Sequence, residues 1–395
     1  LKAIIPKSRP LIRKVLVYQF SKIILRRSYL LFNNLGHYLF AKCEWHFFCS
    51  VHIKMLIRSF DMKHIVLFLD SRSSGGIETH VFNLACSLNK RSYTVDVIFW
   101  KKYGSDHPIY ADLLKSDINV SYADGRLYRL FQLIPRDSIV HSHGYKANII
   151  NKLMAVSGRW KAVPTHHNGD TGSGLLNCYI RFDEVSSSLF HPISVSQAIF
   201  NRIGRKGCMI PNFVDIGEQP VLSSGSQIAF VGRLSSEKNP DAFCMLGESL
   251  HESLAGRDEQ LHIYGDGPDR QRLEARFPAV QFHGHQDMSR HWDKIGLLCI
   301  TSTCEGLPLA ALEAMSRGIP VCSFAVGELP LVITHNRNGW LIHSHDIAHM
   351  ADFIRLWWSM DKTEKDIMSY QAWKTIKEQY STESILPDII NTYTL

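Results

Sequence analysis

An apolar run from Ile295 to Ile300 reads as a buried strand and is followed by a Glu305-Gly306 turn. Pro308 then stands near a first helical position, before Leu309-Ala310-Ala311-Leu312-Glu313-Ala314-Met315, a run of strong helix formers. Arg317-Gly318-Ile319-Pro320 stops that helix, and Val321-Cys322-Ser323-Phe324 begins the next strand. A strand, tight turn, helix and strand in this order form an α/β unit. Such a unit collects ligands at the carboxyl end of its first strand, where helix amides favour an anion. Glu305 lies in the turn and Glu313 about two helical turns further on. Two carboxylates so spaced can grip two polyols on either side of a diphosphate. The plainer reading is a helix-start acid and a solvated helix residue.

The length of 395 residues allows two or three domains with full cores. The net charge of +7 is unevenly placed. Residues 1–61 hold eleven Lys/Arg and two acids, which leaves the rest of the chain slightly acidic. The basic balance therefore says little about a nucleic-acid groove on the main body, and no nucleic-acid partner is expected. The basic, apolar segment 1–61 has no uncharged stretch long enough to span a bilayer. It reads either as a membrane-surface or partner-binding extension or as a part outside the functional chain, because Met62 runs directly into a strand pattern. Nine scattered Cys form no C-x-x-C, so reduced thiols are expected rather than a disulfide framework or a zinc ribbon. His141/His143, His283/His285 and His343/His345 are H-x-H pairs without a third ligand at a recognisable spacing. No D-x-D occurs, which argues against sugar transferases that chelate a nucleotide diphosphate through that pair.

Upstream, His64–Leu69 is a strand pattern, and Gly75-Gly76 opens a helix pattern from Ile77 to Leu88. A glycine pair there permits close backbone approach to a phosphate, and also serves as an ordinary turn. Ser138–Val140 leads a strand into His141-Ser142-His143-Gly144, and Val163-Pro164-Thr165-His166-His167 ends another. His143 reads either as a cleft-facing group or as a histidine hydrogen-bonded within a strand end. After a Gly/Pro/Ser-rich linker (Ile216 to Ser226), a strand ends at Gly232, and Arg233 and Lys238 emerge from one loop. Two cations there can neutralise a diphosphate leaving group, or can simply be solvated.

Taken together, Glu305-Gly306-x-Pro308 with Glu313, and Gly232-Arg233-x4-Lys238, resemble the E-G-x-P…E and G-R-x4-K motifs of retaining GT-B glycosyltransferases of the glycosyltransferase 4 (group 1) family. Gly75-Gly76-Ile77-Glu78-Thr79-His80 and Asp137 to His143 resemble that family's glycine loop and its H-x-H segment. Phe213 departs from the family's usual Gly after Asn212, and Glu328 lies in a partly scrambled copy of a further loop. The resemblance covers residues 63 to about 385. It implies an α/β fold of the GT-B kind, two doubly wound Rossmann-like domains facing across a cleft.

The expected division is an extension (1–61), an acceptor-side domain (62–217), a nucleotide-sugar domain (218–365) and a C-terminal helix crossing back (366–395). The implied reaction is transfer of a hexose or acetamidohexose from a UDP- or GDP-sugar to a glycan or lipid-linked acceptor, as in bacterial surface polysaccharide or lipopolysaccharide synthesis. By resemblance, Glu305, His143, Arg233 and Lys238 are the catalytic set. Gly75, Gly76, Arg233, Lys238, Glu305, Gly306, Leu307 and Glu313 bind the donor, with Glu313 on the ribose and His143 at the sugar. The nucleotide sugar is a co-substrate; no cofactor and no divalent metal are expected. The implied place is the cytoplasm, with peripheral contact at the inner face of the plasma membrane. An epimerase of the same fold and a catalytically silent scaffold subunit are the alternatives.

Overall fold

The computed structural model describes residues 64–167, 174–204, 207–220, 224–250 and 261–395. The expectations placed on residues 1–61 lie outside these. Strand and helix alternate along the described chain, and two fully parallel sheets result.

The first sheet has the order β3-β2-β1-β4-β5-β6-β7. Its strands are β1 (His64–Leu69), β2 (Thr94–Phe99), β3 (Asn119–Tyr122), β4 (Ile139–His143), β5 (Lys161–His166), β6 (Ile193–Ser194) and β7 (Cys208–Met209). Strands β1 and β2 are mostly apolar, as strands covered by helices on both faces are, while β4 is fully buried yet ends in His141-Ser142-His143. Helix α1 (Gly76–Lys90) joins β1 to β2, extending the expected helix by a residue or two at each end. Further along, α2 (Tyr110–Lys115), α3 (Leu127–Leu133), α4 (Tyr145–Ala155), α5 (Leu175–Ser187) and α6 (Gln197–Ile203) complete the layer. Ile65, Leu67, Leu69, Val81, Leu84 and Val97 fill one side of the sheet, and Val66, Phe68, Ile98 and Trp160 the other.

The second sheet repeats the plan, β10-β9-β8-β11-β12-β13. It comprises β8 (Gln227–Val231), β9 (Leu261–Tyr264), β10 (Gln281–Phe282), β11 (Ile295–Ile300), β12 (Val321–Phe324) and β13 (Gly339–Ile342). All six residues of β11 are buried. Around it stand α7 (Pro240–Ser249), α8 (Arg270–Arg276), α9 (Leu309–Met315), α10 (Leu329–Val332) and α11 (Ile347–Ser359). The glycines of the Gly265-Asp266-Gly267 turn are required by packing. A Cβ on Gly265 would sit 1.8 Å from the Gly232 carbonyl oxygen, and Gly265 holds φ +156°.

The chain returns to the first sheet later than the expected residue 366. Helix α12 (Lys362–Gln379) still packs in the second core through Met368, Ala372, Trp373 and Ile376. The crossing comes at Tyr380–Thr382, where Val214 pairs with Ser381. Helix α13 (Thr382–Thr392) then buries Ile385, Leu386 and Ile389 in the first core, joined by Tyr393. Helix α12 is polar on average, but it buries Met368, Ala372 and Ile376, four residues apart on one face, in the second core, and that burial moves the boundary.

Candidate active site

In each sheet the strand order reverses between two neighbours, β1 and β4 in the first and β8 and β11 in the second. Connections after these strands leave in opposite directions and open a crevice at their carboxyl ends. Every expected catalytic or donor-binding residue except Glu313 lies in a loop or element end at one of these two crevices. Gly75 and Gly76 follow β1, His143 ends β4, Arg233 and Lys238 follow β8, and Glu305 to Leu307 follow β11.

Arg233 and Lys238 separate. Arg233 is exposed and makes no ion pair among the described residues. Lys238 Nζ sits 2.5 Å from Glu305 Oε1, whose side chain is only 8% exposed. Ser302 Oγ donates to the same oxygen at 2.6 Å. Backbone stitching holds the two loops together. Thr303 N donates to Glu237 O at 2.9 Å, and Thr301 Oγ1 to Asn239 O at 2.8 Å. The E-G turn and the R-x4-K loop are therefore one unit, a pairing across 67 residues that spacing alone did not show.

Glu313 lies on α9, and the solvated-helix reading of it is not what the structure shows. Burial pushes its carboxyl up to about 7, against the opposing pull of the Arg317 guanidinium. Arg317 Nη1 donates instead to the Glu313 backbone oxygen at 2.9 Å. Leu307 is buried with its side chain in the second core, and its carbonyl accepts from Asn212 Nδ2 at 2.8 Å.

The two domains meet at this turn. A Cβ on Gly306 would be 3.6 Å from His167 O, and one on Gly76 would touch Leu309 Cδ1 at 3.9 Å. Glu328 Oε1 accepts the Gln197 amide at 2.7 Å, so the scrambled loop caps a helix of the opposite domain. The neighbouring Gly327 is irreplaceable in shape. It holds φ +55°, and a Cβ there would lie 2.2 Å from Gly306 O and 2.5 Å from Glu305 O. Gly327→Ala is expected to displace the Glu305-Gly306 turn and to lower stability by about 2 kcal/mol or more from left-handed strain and overpacking. Thermal melting checks this, and an unchanged melting temperature would show that the turn yields freely.

His143 is buried at the end of β4 and belongs to a larger group. Its ring stacks on His141 with centroids 4.4 Å apart, and His143 Nδ1 is 3.0 Å from His167 Nε2. The His80 ring lies 5.4 Å from that of His143, 4.9 Å from that of His167 and 5.3 Å from Phe213, the residue in place of the expected Gly. Burial holds these imidazoles neutral. His80 falls to about 4 and His141 to about 3, while His143 and His167 fall well below the usual value through burial and then neighbouring rings. Glu78, buried in the first turn of α1, has its carboxyl raised by the same cause. His80, His167 and Asn212 were all inside quoted motifs, yet nothing local in the sequence marked them as neighbours.

Among the described residues no helix is long and apolar enough to cross a membrane, and the seven cysteines there are free.

Comparison with known proteins agrees with this arrangement. Residues 225–359 match the family described as "Glycosyl transferases group 1". A poly(ribitol-phosphate) alpha-N-acetylglucosaminyltransferase of Staphylococcus aureus is 28% identical over 197 residues, covering 47% of this chain and 38% of that protein. The chain spans about two fifths of the length of the curated relatives it matches first. Among solved structures, a variant of TarM from S. aureus in complex with fondaparinux, alpha-GlcNAc-glycerol and UDP superposes with a TM-score of 0.72. The two are 16% identical, over 85% of this chain and 100% of that one. HepE of Anabaena in complex with UDP and glucose gives a TM-score of 0.68 at 18% identity, over 83% and 99%. These likenesses are in fold. Residues 225–359 are thus a group 1 glycosyltransferase domain, and the two parallel doubly wound sheets, with the E-G-x-P and R-x4-K loops in contact, have the GT-B fold.

Proposed function

We propose that the chain is a retaining, metal-independent glycosyltransferase that moves a hexose or acetamidohexose from a nucleotide sugar to a glycan or lipid-linked acceptor. The observation that carries this reading is the Lys238–Glu305 pair at the β8/β11 crevice, with exposed Arg233 on the same loop as Lys238 and Gly75-Gly76 at the facing crevice. UDP is the first donor base to test, because TarM and HepE were both solved with it. A surface glycopolymer is the acceptor class suggested by the poly(ribitol-phosphate) relative.

In this reading the bond from the anomeric carbon to the diphosphate oxygen breaks, and its electron pair stays on the diphosphate. Arg233, Lys238 and the Gly76 amide take up that growing charge, as preorganised donors that need no reorganisation during the step. The acceptor oxygen bonds to the anomeric carbon on the same face, and its proton passes to the departing phosphate oxygen. Glu305 holds sugar hydroxyls with the Gly306 and Leu307 amides, Glu313 the ribose, and His143 the sugar from the opposite wall. His143 suits a neutral wall, since burial keeps its imidazole uncharged beside an electron-poor anomeric carbon.

Turnover of UDP- and GDP-sugars with glycan acceptors, measured in EDTA, tests the proposal. Wild type is expected to transfer sugar with its configuration retained. Lys238→Ala is expected to lower kcat by about 10²–10³, the usual cost of one preorganised charge donor. A nucleotide sugar bound but never turned over with any acceptor would favour the scaffold reading, and turnover without acceptor the epimerase. Activity lost in EDTA and restored by a divalent ion would refute metal independence.

A further inference from the structure

Three imidazoles converge in the first domain from three separate elements. His80 stands in the second turn of α1, His143 ends β4, and His167 follows β5 directly. One ring nitrogen from each lies within 4.8 Å of the other two. The His143 Nδ1 to His167 Nε2 separation is 3.0 Å. Two nitrogens on one tetrahedral zinc, each about 2.0–2.1 Å from the ion, stand about 3.3 Å apart. One of the two carries the proton of that hydrogen bond, and a change of tautomer leaves two lone pairs near ligand spacing.

Two further nitrogens are left over. His80 Nδ1 and His143 Nε2 are buried and have no hydrogen-bond partner. An orphaned buried polar atom costs about 1–3 kcal/mol, so a protein that keeps two of them on rings 5.4 Å apart calls for an explanation. Four buried histidines (His80, His141, His143, His166) and the partly exposed His167 stand in this region, but only three point their nitrogens at one place. His141 is satisfied by Tyr393 and Thr165, and His166 by Ser187. The remaining three offer neutral nitrogen lone pairs and no carboxylate, which suits zinc-class ions and not magnesium or calcium. His167 is the one partly exposed member, and its backbone carbonyl faces Gly306 of the opposite domain.

We propose that His80, His143 and His167 form a binding site for one divalent transition ion of the zinc class, with a fourth position on the side of the partly exposed His167. Sugar transfer as read above does not require this ion, and the site stands or falls on metal binding alone. An ion held there would put a positive charge on the His143 wall, and would thereby tune or block donor binding.

The test uses the full chain, stripped with a chelator and titrated with Co²⁺ at neutral pH while visible absorption is followed. One equivalent is expected to bind, with the intense bands of a low-coordinate cobalt site, and Zn²⁺ is expected to displace it. His80→Ala and His167→Ala should each weaken binding at least about tenfold, the scale of a lost ligand or its support. The doubly substituted His262→Ala/His283→Ala chain should bind as wild type does. That second pair, Nδ1 to Nε2 at 2.9 Å, has no third ligand among the described residues. X-ray absorption of the zinc-loaded wild type gives a readout free of folding effects, with three imidazole nitrogens expected at about 2.0–2.1 Å. No saturable binding, two or fewer imidazoles in the absorption spectrum, or binding that survives both single substitutions would overturn the proposal.

Discussion

Lowering the pH from 6.5 to 4.5 is expected to destabilise the chain by at least about 3 kcal/mol, seen as a fall in melting temperature on the order of 10 °C. The cause is the set of buried histidines in the first domain. His80, His141 and His166 are held to about 4, 3 and 3 in the folded chain, chiefly by burial. In the unfolded chain each returns to the ordinary histidine value of 6.5. A folded value depressed below the unfolded one means that the unfolded chain takes up protons the folded chain refuses. Stability is then complete above the unfolded value and drains away as pH falls through it, by up to about 1.4 kcal/mol per pH unit and group. Two carboxyls work in the opposite direction. Burial raises Asp183 to about 6 and Glu313 to about 7, so the folded chain holds their protons in the same window. Three histidines outweigh two carboxyls, and His143 and His167, both well below the usual value, add to the acid loss. Melting followed from pH 8 to 4.5 checks this, and a flat profile would mean that these rings are hydrated or already protonated.

Lys152→Met is expected to cost about 3–5 kcal/mol, the largest effect of any single substitution considered. Lys152 and Asp183 form an ion pair at 2.6 Å between α4 and α5, with side chains 4% and 2% exposed. Lys152 Nζ also donates to Asp183 O and to Ser187 Oγ, so all three of its protons are used. Asn148 Nδ2 donates to the other Asp183 oxygen at 3.1 Å, and His166 Nδ1 lies 3.3 Å from it. Removing the ammonium leaves a buried carboxylate with one amide donor and a neutral imidazole. The deficit should shrink as pH falls toward about 6, because loss of the ammonium raises the Asp183 carboxyl further and lets it take a proton instead. Exposed Lys115, paired with Asp112 at the surface, is the control, and Lys115→Met should change stability by less than about 0.5 kcal/mol. Denaturant melts of both variants decide it. Equal losses would mean that the buried pair is worth no more than a solvated one.

The sequence by itself determined the two α/β units and most of the cleft-side loops. Apolar runs such as Ile65–Leu69 and Ile295–Ile300 are local signals of buried parallel strands, and β1 and β11 begin within a residue of where those runs do. Turn chemistry is equally local, so Gly75-Gly76, Gly232-Arg233 and Glu305-Gly306 could be placed at strand ends. Only the tertiary structure decided which of these residues touch. Lys238 meets Glu305 because β8 and β11 are neighbours in the sheet, and His143 meets His167 because β4 and β5 are. Sheet order is a global property that no window of sequence encodes. The Lys152–Asp183 pair was invisible for the same reason, since a lysine and an aspartate on two amphipathic helices read as surface until both helices are packed. Helix α12 likewise has an apolar stripe that would fit either core, and only the pairing of Val214 with Ser381 shows where the chain turns back. Periodicity specifies elements because it reports one residue's relation to water. Contacts between elements depend on which surfaces finally bury one another, and that is settled by the whole fold.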